Sequence, residues 1–158
     1  MSSYTVNKIG TIRQGKEGPI LVLDENYKEG LLALEGFGHL QVLYYFDKSD
    51  FPEGRNTLQM PSPYKGSPDI MGVFATRSPF RPNLIGLSTV QFFHIDHENG
   101  EIYCDYIDAD DGTPLLDIKP YTPSMDVVRD PKTPNWCKNW PKDRESGGEF
   151  DWESVFNF

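Results

Sequence analysis

Leu87-Ser-Thr-Val-Gln-Phe-Phe-His-Ile95 and Glu101-Ile-Tyr-Cys-Asp-Tyr-Ile107, joined by His97-Glu98-Asn99-Gly100, decide the reading of the fold. Both runs are rich in β-branched and aromatic residues, and Asn-Gly between such runs is a strong hairpin signal, so an antiparallel pair is predicted. Working outward, Leu40 to Phe46 is apolar at nearly every position, which predicts a strand buried on both faces. Val6 to Arg13 and Ile20 to Leu23 are short apolar stretches bounded by Gly10, Gly15, Gly18 and Pro19, and Val73 to Ala75 is another; all three read as strand. Tyr27 to Phe37 places Leu31, Leu32, Leu34 and Phe37 at helical spacing and ends in Gly36 and Gly38, which predicts a short helix.

From Asp47 to Asp69 the prolines and glycines Pro52, Gly54, Pro61, Pro63, Gly66 and Pro68 predict a long surface loop. After Tyr121 the chain carries Pro123, Pro131, Pro134, Pro141 and isolated aromatics from Trp136 to Phe158. The expected division is a β-barrel domain over residues 1–125 and an aromatic tail over 126–158 that packs on it. Frequent Gly and Pro punctuation with few helical segments makes the fold class mainly β, a small closed or nearly closed barrel with short helical segments and an irregular C-terminal tail.

The 158 residues hold 15 Lys and Arg against 24 Asp and Glu, a formal charge of −9, and the hydrophobic share is 37%. No apolar run approaches the ~18–20 residues of a spanning helix, so no membrane segment is predicted. The first ten residues lack the basic and apolar regions of a secretory signal, which predicts a cytoplasmic protein. Cys104 and Cys137 stand far apart and are expected as free thiols; with His39, His94 and His97 scattered, no metal site is predicted. Net negative charge opposes non-specific nucleic-acid binding, although a local cationic face is compatible with it. Rossmann fingerprints, GxSxG and HExxH are absent, which removes support for the enzymes built on them.

Two stretches carry chemistry. In Gly72-Val-Phe-Ala-Thr-Arg-Ser-Pro-Phe-Arg-Pro-Asn83, two prolines bias the residues before them toward extended backbone and stiffen the loop. Arg77 and Arg81 therefore project from a fixed frame with Phe80 between them, which suits a planar or anionic ligand; pairing with surface carboxylates is the plainer reading. In Asp111-Gly-Thr-Pro-Leu-Leu-Asp-Ile-Lys-Pro-Tyr121, Asp117 and Lys119 share one strand face. As structure they make a surface ion pair; as chemistry, with Tyr121, they offer an acid, a base and an anchor.

Residues 74–88, Phe-Ala-Thr-Arg-Ser-Pro-Phe-Arg-Pro-Asn-Leu-Ile-Gly-Leu-Ser, followed by residues 111–121, resemble the signature of the TrmO family. Ile9 to Arg13 and Leu34 to Phe46 extend the resemblance over most of residues 4 to 125. It implies a barrel methyltransferase that uses S-adenosyl-L-methionine, is usually a homodimer with the cofactor near the subunit interface, and methylates N6 of threonylcarbamoyladenosine beside the tRNA anticodon. On this resemblance Arg77, Leu87 and the segment Ile107, Asp108, Ala109 and Asp110 are expected to contact the cofactor. Asp47 and Lys48 occupy another contact site, where many relatives carry His-Gln.

For the acceptor, Asp117 and Tyr121 are the candidate catalytic residues, because a delocalised carbamoyl nitrogen needs a proton acceptor. Arg81, Asn83 and Lys119 are candidates for substrate binding, with the two cations meeting a carboxylate or phosphate. Two alternatives keep the cofactor: methylation of a small molecule, in line with the charge of −9, and a non-catalytic S-adenosyl-L-methionine-binding module, in line with the altered Asp47-Lys48 site.

Overall fold

The computed structural model describes residues 1–158. Eight strands form: β1 (Gly10–Gly15), β2 (Gly18–Leu23), β3 (His39–Tyr45), β4 (Gln59–Pro61), β5 (Ile70–Gly72), β6 (Ile85–Asp96), β7 (Glu101–Cys104) and β8 (Thr113–Pro120). Six of them close an antiparallel barrel in the order β1-β2-β7-β6-β3-β8, and β4 and β5 make a separate two-stranded sheet. Closure leaves no unpaired edge, and it gives every strand one inward face. The mainly β barrel expected from the sequence is therefore the observed fold.

The inward face is the core: Ile12, Leu21, Leu40, Val42, Val90, Ile102 and Leu115 are all fully buried in one cluster. Strand β3 alternates, with Leu40, Val42 and Tyr44 buried and His39, Gln41, Leu43 and Tyr45 half-buried. That differs from the predicted burial of both faces. In a barrel the second face looks outward, and here it is covered only in part, so apolar residues such as Leu43 read as core without being core.

The hairpin is as predicted, with β6 and β7 paired from Phe92↔Cys104 to Asp96↔Glu101 and a register shift between Phe92 and His94. Asp96 Oδ1 accepts from the Asn99 amide at 3.1 Å, and Gly100 supplies the left-handed residue at φ 69°. The helix expected over Tyr27–Phe37 is instead a 3₁₀ segment over Glu25–Leu31, because Ala33 at φ 66° and Gly36 at φ 97° break any helical path beyond it. The strand expected at Val73–Ala75 is a 3₁₀ turn, closed by the Thr76 amide and hydroxyl, which both donate to the Val73 carbonyl at 3.0 and 2.8 Å. The predicted loop Asp47–Asp69 contains a 3₁₀ turn at Asp47–Ser49, the helix α1 (Pro52–Asn56) and β4. Pro52 sits in the first turn of α1, where its missing amide hydrogen costs nothing.

Beyond β8 come two further one-turn helices, α2 (Pro123–Asp126) and α3 (Arg144–Gly147). Tyr64, in the β4–β5 loop, stacks on Trp136 at 5.1 Å and meets Trp140 edge-on at 5.2 Å. Arg144 of α3 donates to the Thr89 carbonyl at 2.9 Å and binds both carboxylate oxygens of Asp105 at 2.8 and 2.6 Å. No helix is long and apolar enough to cross a membrane.

Candidate functional site

The register of β3 decides which candidate residues meet. Its C-terminal end pairs Tyr45 with Ile85 and Tyr44 with Gly86 on β6, so the chain leaves β3 into Asp47 and Lys48 beside the start of β6. The arginine loop delivers its chain into the same end of β6. Arg77 Nη1 donates to the Leu87 carbonyl at 3.3 Å, the one hydrogen bond made by that exposed guanidinium. Leu87 is 46% exposed.

The aspartate segment arrives from the other side. Tyr44 Oη is 2.9 Å from Ser88 Oγ and donates to the Asp108 carbonyl at 3.0 Å. Burial pushes the Tyr44 hydroxyl above the usual phenol range, so it remains a proton donor at neutral pH. Lys48 Nζ reaches Asp110 Oδ2 at 2.8 Å, and that contact holds the ammonium above the ordinary lysine range. Gln14, at the end of β1, donates through Nε2 to the Ala109 carbonyl at 2.7 Å and the Ile107 carbonyl at 3.4 Å. Its own amide donates to Asp111 Oδ1 at 2.9 Å.

Asp47, Lys48, Arg77, Leu87, Asp108, Ala109 and Asp110 thus gather at one end of the barrel. Ile107 belongs to the same segment but is 3% exposed and sits in the core, so it can offer a ligand only its backbone. Arg81 Nη1 donates to the carbonyls of Thr76 and Ser78 at 3.3 and 3.0 Å, bracing its own loop, while Asn83 is exposed at the loop's end.

Lys119 and Tyr121 lie toward the other end of β3, whereas Asp117 is level with Leu87 across it, since Leu43 pairs with Leu87 on one side and with Asp117 on the other. On β8, Asp117 pairs with Leu43 and Lys119 with Gln41, and the Tyr121 amide donates to the His39 carbonyl at 3.0 Å. Tyr121 is thus beside the far terminus of β3, ~20 Å of strand from Tyr45 at ~3.3 Å per residue. Asp117 pairs with Lys119 at 2.9 Å and borders an apolar groove formed with Tyr27, Leu31, Phe37 and Pro120. The plain ion-pair reading of Asp117 and Lys119 is what the geometry contains.

Tyr44, Ser88 and Gln14 are the residues that sequence reasoning passed over. Tyr44 and Ser88 lay inside strands read only for hydrophobicity, and nothing local in Arg13-Gln14-Gly15 signals a partner 95 positions away.

The chemistry of this end suits a zwitterionic nucleoside. Carboxylates at Asp47 and Asp108 can meet hydroxyls or an ammonium, Arg77 can meet a carboxylate, and exposed Leu87 and Ile85 offer apolar surface to a base.

Residues 3–127 match the family model of the tRNA-methyltransferase O N-terminal domain. A probable S-adenosyl-L-methionine-binding protein of Pyrococcus horikoshii is 39% identical over 130 residues, covering 81% of this chain and 90% of its own length. A tRNA (adenine(37)-N6)-methyltransferase of Escherichia coli is 34% identical over 149 residues, covering 82% of this chain and 63% of its own. A crystal structure of TrmO from Pseudomonas aeruginosa superposes with a TM-score of 0.62 at 30% identity, covering 83% of this chain and 62% of that one. The chain therefore spans less than two thirds of the bacterial proteins it resembles while matching the archaeal one nearly end to end, and it belongs to the tRNA-methyltransferase O N-terminal-domain family.

Proposed function

We propose that this protein is an S-adenosyl-L-methionine-dependent methyltransferase acting on N6 of the adenosine beside the tRNA anticodon, with threonylcarbamoyladenosine as the acceptor. The observation that carries the reading is that the Tyr44 hydroxyl meets Asp108 of the aspartate segment and Ser88 of β6 at once, while Arg77 of the arginine loop reaches the neighbouring Leu87 carbonyl.

S-adenosyl-L-methionine supplies an electrophilic sulfonium methyl group. Asp47, Lys48, Arg77, Leu87, Asp108, Ala109 and Asp110, with the backbone of Ile107, would hold it. Alignment of donor and acceptor can lower such a barrier by ~7–11 kcal/mol, so the main task of these residues is orientation. The acceptor nitrogen must also lose a proton. Asp110 is occupied by Lys48 and Asp111 accepts from the Gln14 backbone amide, which leaves Asp47 and Asp108 as the carboxylates of these segments that could take it. Asp117, level with Leu87 across β3 and paired with Lys119, is a further candidate for that role, while Tyr121, beside the far terminus of β3, would serve it only across a subunit boundary. Arg81 and Asn83 would face the acceptor's carboxylate or phosphate.

A homodimer fits the exposure of this end, since Leu87 is 46% and Tyr106 64% exposed there. A tRNA substrate also accords with a cytoplasmic location.

Labelled S-adenosyl-L-methionine and tRNA from a strain lacking its own enzyme test the reading: label on the anticodon-loop adenosine is expected, and no label there overturns the substrate. Label in a low-mass metabolite fraction alone would establish the small-molecule alternative. Binding in calorimetry with no turnover on any pool would establish the non-catalytic module.

A further inference from the structure

Beside the cofactor-facing residues lies a second polar cluster that none of the preceding roles uses. Tyr45 Oη donates to Asp50 Oδ2 at 2.5 Å, Arg55 Nε donates to Asp50 Oδ1 at 2.5 Å, and Arg55 Nη2 donates to Tyr45 Oη at 2.6 Å. The fourth contact leaves the cluster: Arg55 Nη1 donates to the Pro82 carbonyl at 3.4 Å. Tyr45 ends β3, Asp50 follows the Asp47–Ser49 turn, Arg55 lies on α1, and Pro82 belongs to the arginine loop.

Aromatic packing repeats the connection. Phe51, immediately before α1, meets Phe80 of the arginine loop edge-on at 5.9 Å. Gly54 allows α1 to lie against the preceding turn, since a Cβ there would stand 2.2 Å from the Ser49 carbonyl oxygen. Helix α1 is thus held to the Asp47–Ser49 turn on one side and to the loop bearing Arg77 and Arg81 on the other.

We propose that Arg55 is a positioning residue for the candidate cofactor site, a brace that sets the distance between the Asp47-Lys48 segment and the Arg77–Asn83 loop. The role rests on the cofactor reading given above. Guanidinium suits it because one planar fork satisfies Asp50, Tyr45 and Pro82 together, which a lysine ammonium on a flexible stem cannot do in the same geometry. The anionic state of Asp50 that the fork requires is secured by Arg55 and Tyr45, which hold its carboxyl down to about 2.

Arg55→Met, Arg55→Lys and, as a control, Arg129→Met in the tail are compared with the wild-type protein. S-adenosylhomocysteine affinity is measured by calorimetry and amide exchange is followed over residues 77–85. Expected for Arg55→Met is ~2–30-fold weaker binding, the range for a residue that acts on a site through its neighbours, with faster exchange confined to that loop and barrel amides unchanged. Arg55→Lys should recover part of the affinity, and Arg129→Met should match wild type in both readouts. Wild-type affinity or wild-type loop exchange in a folded Arg55→Met overturns the brace. If that variant does not fold, Arg55→Lys decides alone, and wild-type values in it overturn the proposal. No binding by the wild-type protein overturns the cofactor reading together with the positioning role, whereas binding with an unaltered loop in the variant overturns the brace alone.

Discussion

The Tyr44 hydroxyl donates to the Asp108 carbonyl at 3.0 Å, joining β3 to the segment before β8 across 64 positions of sequence. Ser88 Oγ, 2.9 Å away, completes its hydrogen bonding from β6. Tyr44→Phe keeps the ring and deletes both bonds, so a stability loss of ~0.5–1.5 kcal/mol is expected. Affinity for S-adenosylhomocysteine should fall as well, because Asp108 loses its tie to the barrel. Denaturant midpoints and calorimetry check the pair of effects; an unchanged affinity would separate Tyr44 from the site.

Gly86 faces that same ring. A Cβ at position 86 would stand 2.4 Å from Tyr44 Cε2, 2.7 Å from Cζ and 2.9 Å from Phe46 Cζ. Gly86→Ala therefore has to push the Tyr44 ring off its place against β6, and overpacking of this kind typically costs ~1–3 kcal/mol. A thermal unfolding scan should show the lower midpoint, and Gly86→Ala combined with Tyr44→Leu should lose less than the sum of the two.

Strand β6, β7 and the turn between them were legible because alternation, β-branched residues and Asn-Gly all point to one local structure. The gathering of Arg77, Leu87 and Asp108 was legible only through two long motifs, since no spacing rule places residue 77 near residue 108. Asp117 and Lys119 read as site residues because they share a strand face within the second motif. Where they stand relative to Leu87 depends on the β3–β6 and β3–β8 registers, which are long-range properties. The 3₁₀ turn at Val73–Ala75 escaped for the opposite reason: three apolar residues carry too little period to separate turn from strand, and the Thr76 side chain closes the turn. Helix α1 was hidden by a Pro and a Gly that punctuate loops elsewhere, though here Pro52 starts the helix and Gly54 packs it.

Arg77 carries the first test of the site itself. Its guanidinium makes one hydrogen bond of 3.3 Å, to the Leu87 carbonyl, so most of its donors are free for a ligand. Arg77→Ala should weaken S-adenosylhomocysteine binding by ~1–3 kcal/mol, the range for a hydrogen bond to a charged group, and leave the unfolding midpoint nearly unchanged. Lys119→Ala, at the far side of β3, should leave affinity as it is. Equal affinities for wild type and Arg77→Ala would assign the arginine to loop structure.

The two cysteines should separate chemically. Cys104 is 3% exposed in the core, and burial pushes its thiol up to about 12. Cys137 is half-buried in the tail. At pH 8 a thiol reagent should modify one cysteine per folded chain, identified as Cys137 by peptide mapping, with the second reacting only in denaturant. Because an unfolded Cys104 ionises at lower pH than a folded one, stability should decline as pH rises from the ordinary thiol range toward 12. Cys104→Ala should lessen that decline and leave the share owed to the buried Tyr44 hydroxyl, which also ionises later in the folded chain, while rapid labelling of Cys104 in the native protein would contradict its burial.

Asp50 predicts the opposite limb of the pH profile. Arg55 and then Tyr45 hold its carboxyl down to about 2, against an ordinary value of 3.8. Between those values the unfolded chain binds a proton that the folded chain does not, so the stabilisation from Asp50 is complete above about pH 4 and disappears as pH falls through 2. The pair is well exposed and salt will screen it, so the effect should shrink as ionic strength rises. Asp50→Asn cannot take part in this titration. The gap in unfolding midpoint between wild type and Asp50→Asn should therefore be widest near pH 5 and close toward pH 2, and a gap that stays constant over that range would show that Asp50 is not held by Arg55 in solution.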